Sequence, residues 1–194
     1  MGLTKAMLKD FSQVELFREF LSRFNLNVES EHLVDTPARV IRMYEEMLSG
    51  YEAPKFKFTT FDVEGTPSMV VVSKIPFHSL CSHHMLPFRG LAHVGYLPSE
   101  KICGLSKLAR AVKHFSARLQ VQENLTGQIA DYLVEKLAPK GLGVVLEAEH
   151  FCMSIRGVKA VGAITSTSAV RGLFLDDPSV KEEFFREIER QTNG

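Results

Sequence analysis

Cys81 and His84, in the run Leu80-Cys81-Ser82-His83-His84, and Cys152, in Glu149-His150-Phe151-Cys152, are the residues of this chain best equipped for chemistry. Two thiolates and one imidazole suit a borderline-soft cation such as zinc. Three protein ligands leave a tetrahedral position free for water, which distinguishes a catalytic zinc site from a structural one. A cysteine by itself is ordinary, because free cysteine is among the most buried residue types. Cys103, in Ile102-Cys103-Gly104, fits that description and is assigned no role. The surroundings of Cys152 add weight. Alternation over residues 150–156 predicts a strand with His150, Cys152, Ser154 and Arg156 on one face. Phe151, Met153 and Ile155 would pack inward from the other. A ligand flanked by a histidine and an arginine marks a reaction site.

Such residues need elements to position them. Ser12-Gln13-Val14-Glu15 reads as a capping box, and Val14, Phe17, Phe20, Leu21 and Phe24 follow at helical spacing. A second helix is predicted from Thr36-Pro37, with proline in its first turn. Its apolar stripe is Val40, Met43, Tyr44, Met47 and Leu48, and Gly50 is its expected stop. Residues 51–67, punctuated by Pro54, Gly65 and Pro67, read as a connection holding one short strand. Beyond Met69 the pattern changes. Residues 69–72 and 91–96 are strand-like and rich in β-branched side chains. Helices are predicted over 105–115 and 121–137, the latter burying Leu125, Ile129, Tyr132 and Leu133 and ending at Pro139 and Gly141. Strands are expected over 143–148 and 163–170. Asp177-Pro178 then opens a last helix holding Phe184, Phe185 and Ile188. The reading is α+β, with a helical N-terminal extension over 1–55 and a catalytic domain over 56–194, one structural unit overall.

Composition bounds the function. The 194 residues suffice for one domain with a substantial core, and 45% hydrophobic with 24% charged content is ordinary for a globular protein. Lys plus Arg equals Asp plus Glu at 23 each, so no overall field favours nucleic acid or a membrane, and neither is an expected partner. Three cysteines, two of them placed like metal ligands, argue against a disulfide framework and for a reducing compartment. Residues 1–7 lack the apolar run of a signal peptide, and nothing reaches the length of a membrane span, so a cytoplasmic location is expected.

Four motifs follow one another in order: Cys81-Ser82-His83-His84, Gly104-Leu105-Ser106-Lys107-Leu108-Ala109-Arg110, Gln120-Val121-Gln122-Glu123, and His150-Phe151-Cys152 through Arg156-Gly157. With Asp35-Thr36-Pro37-Ala38-Arg39 before them, the chain resembles the GTP cyclohydrolase I family. That resemblance implies a zinc enzyme converting GTP to 7,8-dihydroneopterin triphosphate and formate, the first step of tetrahydrofolate and pterin biosynthesis. It implies a tunnelling fold, an antiparallel sheet with helices packed on one face, assembled into a ring. The ring would be a homodecamer of two pentamers with active sites at subunit boundaries. The ligands it implies are again Cys81, His84 and Cys152. One departure stands out: the family usually has Glu at the position of Ser82.

Roles follow for the remaining residues. Zinc would activate water for attack at C8 of the guanine ring, with His150 donating a proton to N7 and His83 as second proton carrier. His83 reads equally as an orienter of the neighbouring ligand. By resemblance Ser106 lies near ribose and phosphate, although a helix cap explains it as well. Lys107 and Arg110 share one helix face, as do Arg39 and Arg42, and with Arg156 they are candidates for the triphosphate. Glu123, beside Gln122, offers a carboxylate to N1–H and the exocyclic amine of guanine. A structural zinc module is the main alternative. It would need a fourth ligand, from His83 or His150.

Overall fold

Two long strands, Pro87–Leu97 and Gly141–His150, buried over much of their length, set the architecture. The computed structural model describes residues 11–65 and 68–193; the readings made on residues 1–7 and on Pro67 lie outside them. The chain divides into two units, Met1–Leu48 and Ser49–Gly194.

In the first unit, helix α1 (Gln13–Ser22) starts at the expected capping box. The Ser12 hydroxyl accepts the Glu15 N–H, and the Glu15 carboxylate accepts the Ser12 N–H at 2.7 Å. Such a cap contributes about 1 kcal/mol. None of the helix's residues is buried within the chain, and Phe20 packs its ring against Phe17 and Phe24. Helix α2 (Thr36–Met47) has Pro37 in its first turn, where a missing N–H costs nothing. Met43, placed in the apolar stripe from sequence, is exposed.

In the second unit, β1 (Thr60–Asp62) pairs with β4 (Lys101–Cys103), while a five-stranded sheet runs in the order β5-β2-β3-β6-β7. Its members are β2 (Val70–Cys81), β3 (Pro87–Leu97), β5 (Leu119–Gln120), β6 (Gly141–His150) and β7 (Ile164–Gly172). Pairing is antiparallel except for the short β2–β5 contact. Leu142, Val144, Leu146 and Ala148 alternate onto one face of β6 and are buried under α3 (Ser106–Ser116) and α4 (Gln122–Leu137). These helices contribute Leu108, Ala111, Val112, Leu125, Ile129 and Leu133 to the same core. Each large apolar side chain so buried stabilises by about 1.5–3 kcal/mol.

The expectation of helices on one face only is corrected by the C-terminus. The C-terminal helix (Pro178–Asn193) covers the opposite face, where Phe184 and Ile188 pack with Val71 and Val145. Gly95 and Gly143 are cross-strand partners. A Cβ on either would lie within 2.6 Å of the Phe184 ring, so the glycine pair forms the slot that admits it. No helix among the described residues is long and apolar enough to cross a membrane.

Candidate metal centre and its neighbours

Cys81 is the last residue of β2, and the chain reverses immediately after it. The Cys81 carbonyl accepts the N–H groups of His84 and Met85, at 3.3 and 2.8 Å, and the Cys81 N–H donates to Leu86 at 2.8 Å. Met85 takes a left-handed conformation, φ 54°, to complete the turn. This hairpin curls His84 back over Cys81, bringing its Nδ1 to 3.9 Å from the thiol sulfur. The x2 spacing therefore works through a turn. Ser82 is exposed, and its N–H donates to Gln120 at 2.9 Å, tying the turn to β5.

Cys152 arrives from β6 by a different route from the one its sequence predicts. Residues 150–156 are not a strand. Ladder pairing stops at His150 opposite Phe88 and at Glu149 opposite Ile164, and residues Phe151–Ser154 form a single helical turn, α5. Pro87 begins β3, so no partner strand continues beyond that point. Met153 and Ile155, expected inside, are exposed, while Ser154, expected on the polar face, is buried. The turn nonetheless carries Cys152 to the hairpin. Donor atoms of Cys81, His84 and Cys152 lie within 4.8 Å of one another, and neither His83 nor His150 belongs to that set.

The electrostatics favour a cation there. Burial and the adjacent Cys81 sulfur push the Cys152 thiol up, with Arg156 pulling weakly the other way. Two thiols this close resist joint ionisation, and a divalent cation between them reverses the preference. With two sulfurs and one imidazole nitrogen as donors, one of them half-buried and one exposed, the group fits a metal bound with a side open to water. Arg156, reached through the turn, places Nη1 at 3.2 Å from His84 Nε2.

Beside the centre, His150 stacks flat on the buried ring of Phe88, centroids 4.6 Å apart and planes within 5°. Its Nε2 lies 2.7 Å from Gln122 Oε1. Burial pushes the His150 imidazole below its ordinary pKa, opposed by the Glu123 carboxylate, which is thereby placed within electrostatic reach. Gln122, expected from sequence to face a ligand beside Glu123, is buried at 2% exposure, and its amide nitrogen faces Leu146 O, Thr165 O and Thr167 Oγ1. Its side-chain amide is held inside the protein. Glu123 is exposed at the start of α4.

His83 is exposed, with Nδ1 3.9 Å from the Cys81 sulfur. Ser106 is the first residue of α3, directly after the N-cap position at Leu105. Lys107 and Arg110 lie on α3 with no hydrogen bond to the centre among the described residues. Arg39 and Arg42 belong to α2 of the N-terminal unit, and Arg39 pairs with Asp35 at 3.1 Å. Sequence reading missed Phe88, Thr126 and Thr167, whose relevance depends on strand register and on a helix–strand contact.

Fold and site define an α+β protein with a two-thiolate, one-imidazole centre set beside a stacked and hydrogen-bonded histidine. The GTP cyclohydrolase I family model matches residues 13–189, and the chain belongs to that family. GTP cyclohydrolase 1 of Hydrogenobaculum sp. is 47% identical over 176 residues, covering 90% of this chain and 95% of its own. The Bacillus subtilis protein of the same name is 49% identical over 176 residues, covering 90% and 93%. That of Aquifex aeolicus is 48% identical over 171 residues, covering 87% and 91%.

Proposed function

We propose that this chain is a GTP cyclohydrolase I, which hydrolyses the guanine imidazole ring of GTP at C8, releases formate, and rearranges the product to 7,8-dihydroneopterin triphosphate. The observation that carries this reading is the convergence of Cys81, His84 and Cys152 donors within 4.8 Å, in a chain of this family. Cys81, His84 and Cys152 would hold zinc. When bound, the ion supplies a Lewis acid that lowers the pKa of water to roughly 7 from 15.7.

All else falls to the protein's own groups. His150 delivers a proton to N7, so that the ring does not accumulate charge as C8 is attacked. His83, exposed beside the ligand turn, is the second proton carrier. Glu123 accepts N1–H and the exocyclic amine, which selects guanine over adenine because adenine presents no donor at N1. Arg156, Lys107, Arg110, Arg39 and Arg42 are the cations for the triphosphate, each charge-assisted bond contributing about 1.5–3 kcal/mol. Ser106 is placed near the ribose, whose Amadori-type rearrangement precedes closure of the dihydropterin ring. The finer architecture belongs to the same reading: a tunnelling fold, a helical N-terminal extension and a ring of two pentamers. Its supports are membership of the family and β7 at the edge of the sheet.

Incubating zinc-assayed protein with GTP, while following formate and the fluorescence of oxidised neopterin, tests the reading. Both products are expected. Formate alone would indicate a reaction that stops after ring opening, and neither product, with zinc present, would reject the assignment.

A further inference from the structure

The hydrogen bonds around Gln122 can be given directions, and they determine where a proton sits on His150. Leu146 O and Thr165 O are backbone carbonyls, which only accept, so the group facing them at 3.0 Å is the amide nitrogen of Gln122. Thr126 Oγ1 donates to the backbone carbonyl of Gln122 at 2.7 Å. Its remaining capacity toward Thr167 Oγ1, also 2.7 Å away, is as acceptor, so Thr167 donates to Thr126 and accepts from Gln122 at 3.1 Å. Every contact agrees on one amide orientation. Oε1 must then face His150 Nε2, and an amide oxygen only accepts, so Nε2 carries hydrogen. A half-turn of the ring about Cβ–Cγ would keep its plane against Phe88 but bring Cε1 to Gln122 Oε1, so Nε2 is the nitrogen that makes this bond. His150 Nδ1 makes no hydrogen bond to the described residues and is not among their sealed polar atoms.

We infer that Gln122 is a positioning residue that fixes neutral His150 as its Nε2–H tautomer, so that the proton delivered to the nucleotide is first taken up from water at Nδ1 and then released from that same nitrogen. The idea rests on the cyclohydrolase reading for its substrate, but the tautomer itself rests on Gln122, Thr126, Thr167 and the two carbonyls. One hydrogen-bonded network thus joins the first turn of α4 to the reacting imidazole.

The test uses the full chain, loaded with zinc and labelled with nitrogen-15 at histidine. Long-range proton–nitrogen correlation, with His150 assigned by its disappearance in His150→Asn, reads which ring nitrogen is protonated in the neutral ring. Nε2 is expected, and protonation at Nδ1 would overturn the inference. Gln122→Met keeps the length of the side chain and removes the acceptor. General acid–base catalysis contributes about 10²–10⁴-fold, so kcat is expected to fall about tenfold or more. Zinc content should be unchanged and KM for GTP should stay within about threefold. A large rise in KM with kcat preserved would instead put Gln122 against the substrate and sink the idea. Should Gln122→Met not fold, the tautomer in the unsubstituted protein still decides. Absence of formate from the unsubstituted protein would reject the cyclohydrolase reading and leave the tautomer measurement standing.

Discussion

Cys152 and Glu123 divide the labour of the site between holding an ion and choosing a base. Cys152 is only partly buried, on a one-turn helix, and its removal opens no large cavity. Cys152→Ser is therefore expected to lower zinc content well below one ion per chain, measured by metal analysis, with far-ultraviolet circular dichroism unchanged. Metal binding should weaken as pH falls, because burial already holds this thiol in its protonated form and the ion must displace that proton. Glu123→Ala should leave zinc content intact and abolish the preference for GTP over ATP in a binding titration. Unchanged preference would remove Glu123 from base recognition. At this scale the sequence is legible for donors, because thiolate and imidazole chemistry is intrinsic to residue type. It is not legible for Gln122. The atoms that orient its amide lie 24, 43 and 45 residues away, on two strands whose register no local pattern reveals.

Elements repeat the lesson with a different physical cause. Helix starts at Ser12 and Thr36-Pro37 are legible because a capping box at one and a proline in the first turn of the other act within one turn. The alternation over 150–156 misleads because a strand also needs a neighbour, and β3 ends its pairing at Pro87 and Phe88. β3 also carries His93, which is fully buried with its Nε2 3.6 Å from Glu147. The Lys74 N–H, at a bulge in β2 where Lys74 has φ 57°, lies 3.5 Å from its Nδ1. Burial pushes His93 below its ordinary value of 6.5, the Glu147 carboxylate opposes, and the Lys74 charge adds to the depression. A folded value below the unfolded one means that the unfolded chain takes up the proton first as pH drops. Stability is then complete above 6.5, decreases as pH falls from there toward the folded value, and levels off beneath it. His114 and His150 are depressed in the same direction. Urea midpoints measured at about pH 5 and about pH 7.5 should show this loss, and His93→Gln should reduce the difference without eliminating it. An unaltered difference would assign the acid sensitivity elsewhere.

For the molecule as a whole, the second core on the outer face of the sheet depends on one ring. Phe184 is wholly buried and packs against Phe174, with ring centroids 5.1 Å apart. Phe184→Ala is expected to cost about 3–5 kcal/mol, read from chemical denaturation. Gly143→Ala should also destabilise, since its Cβ would lie 2.5 Å from that ring, and the penalty should shrink when Phe184 is already alanine. Equal penalties in both backgrounds would show that the glycine serves some other purpose. The apolar spacing of Phe184 and Ile188 is readable in the sequence. That they cover the sheet face opposite α3 and α4 is not, because periodicity says that a stripe is buried and is silent on what buries it.

Order of synthesis gives the Gly95–Gly143 slot a further meaning. Residues 178–193 leave the ribosome after every strand and after all three metal ligands. Until they emerge, a nascent chain can own a complete set of ion-binding side chains and still display bare backbone in the middle of its sheet. Chains arrested just short of Phe184 should therefore be the ones that chaperones retain and proteases clear, although nothing is missing from their chemistry.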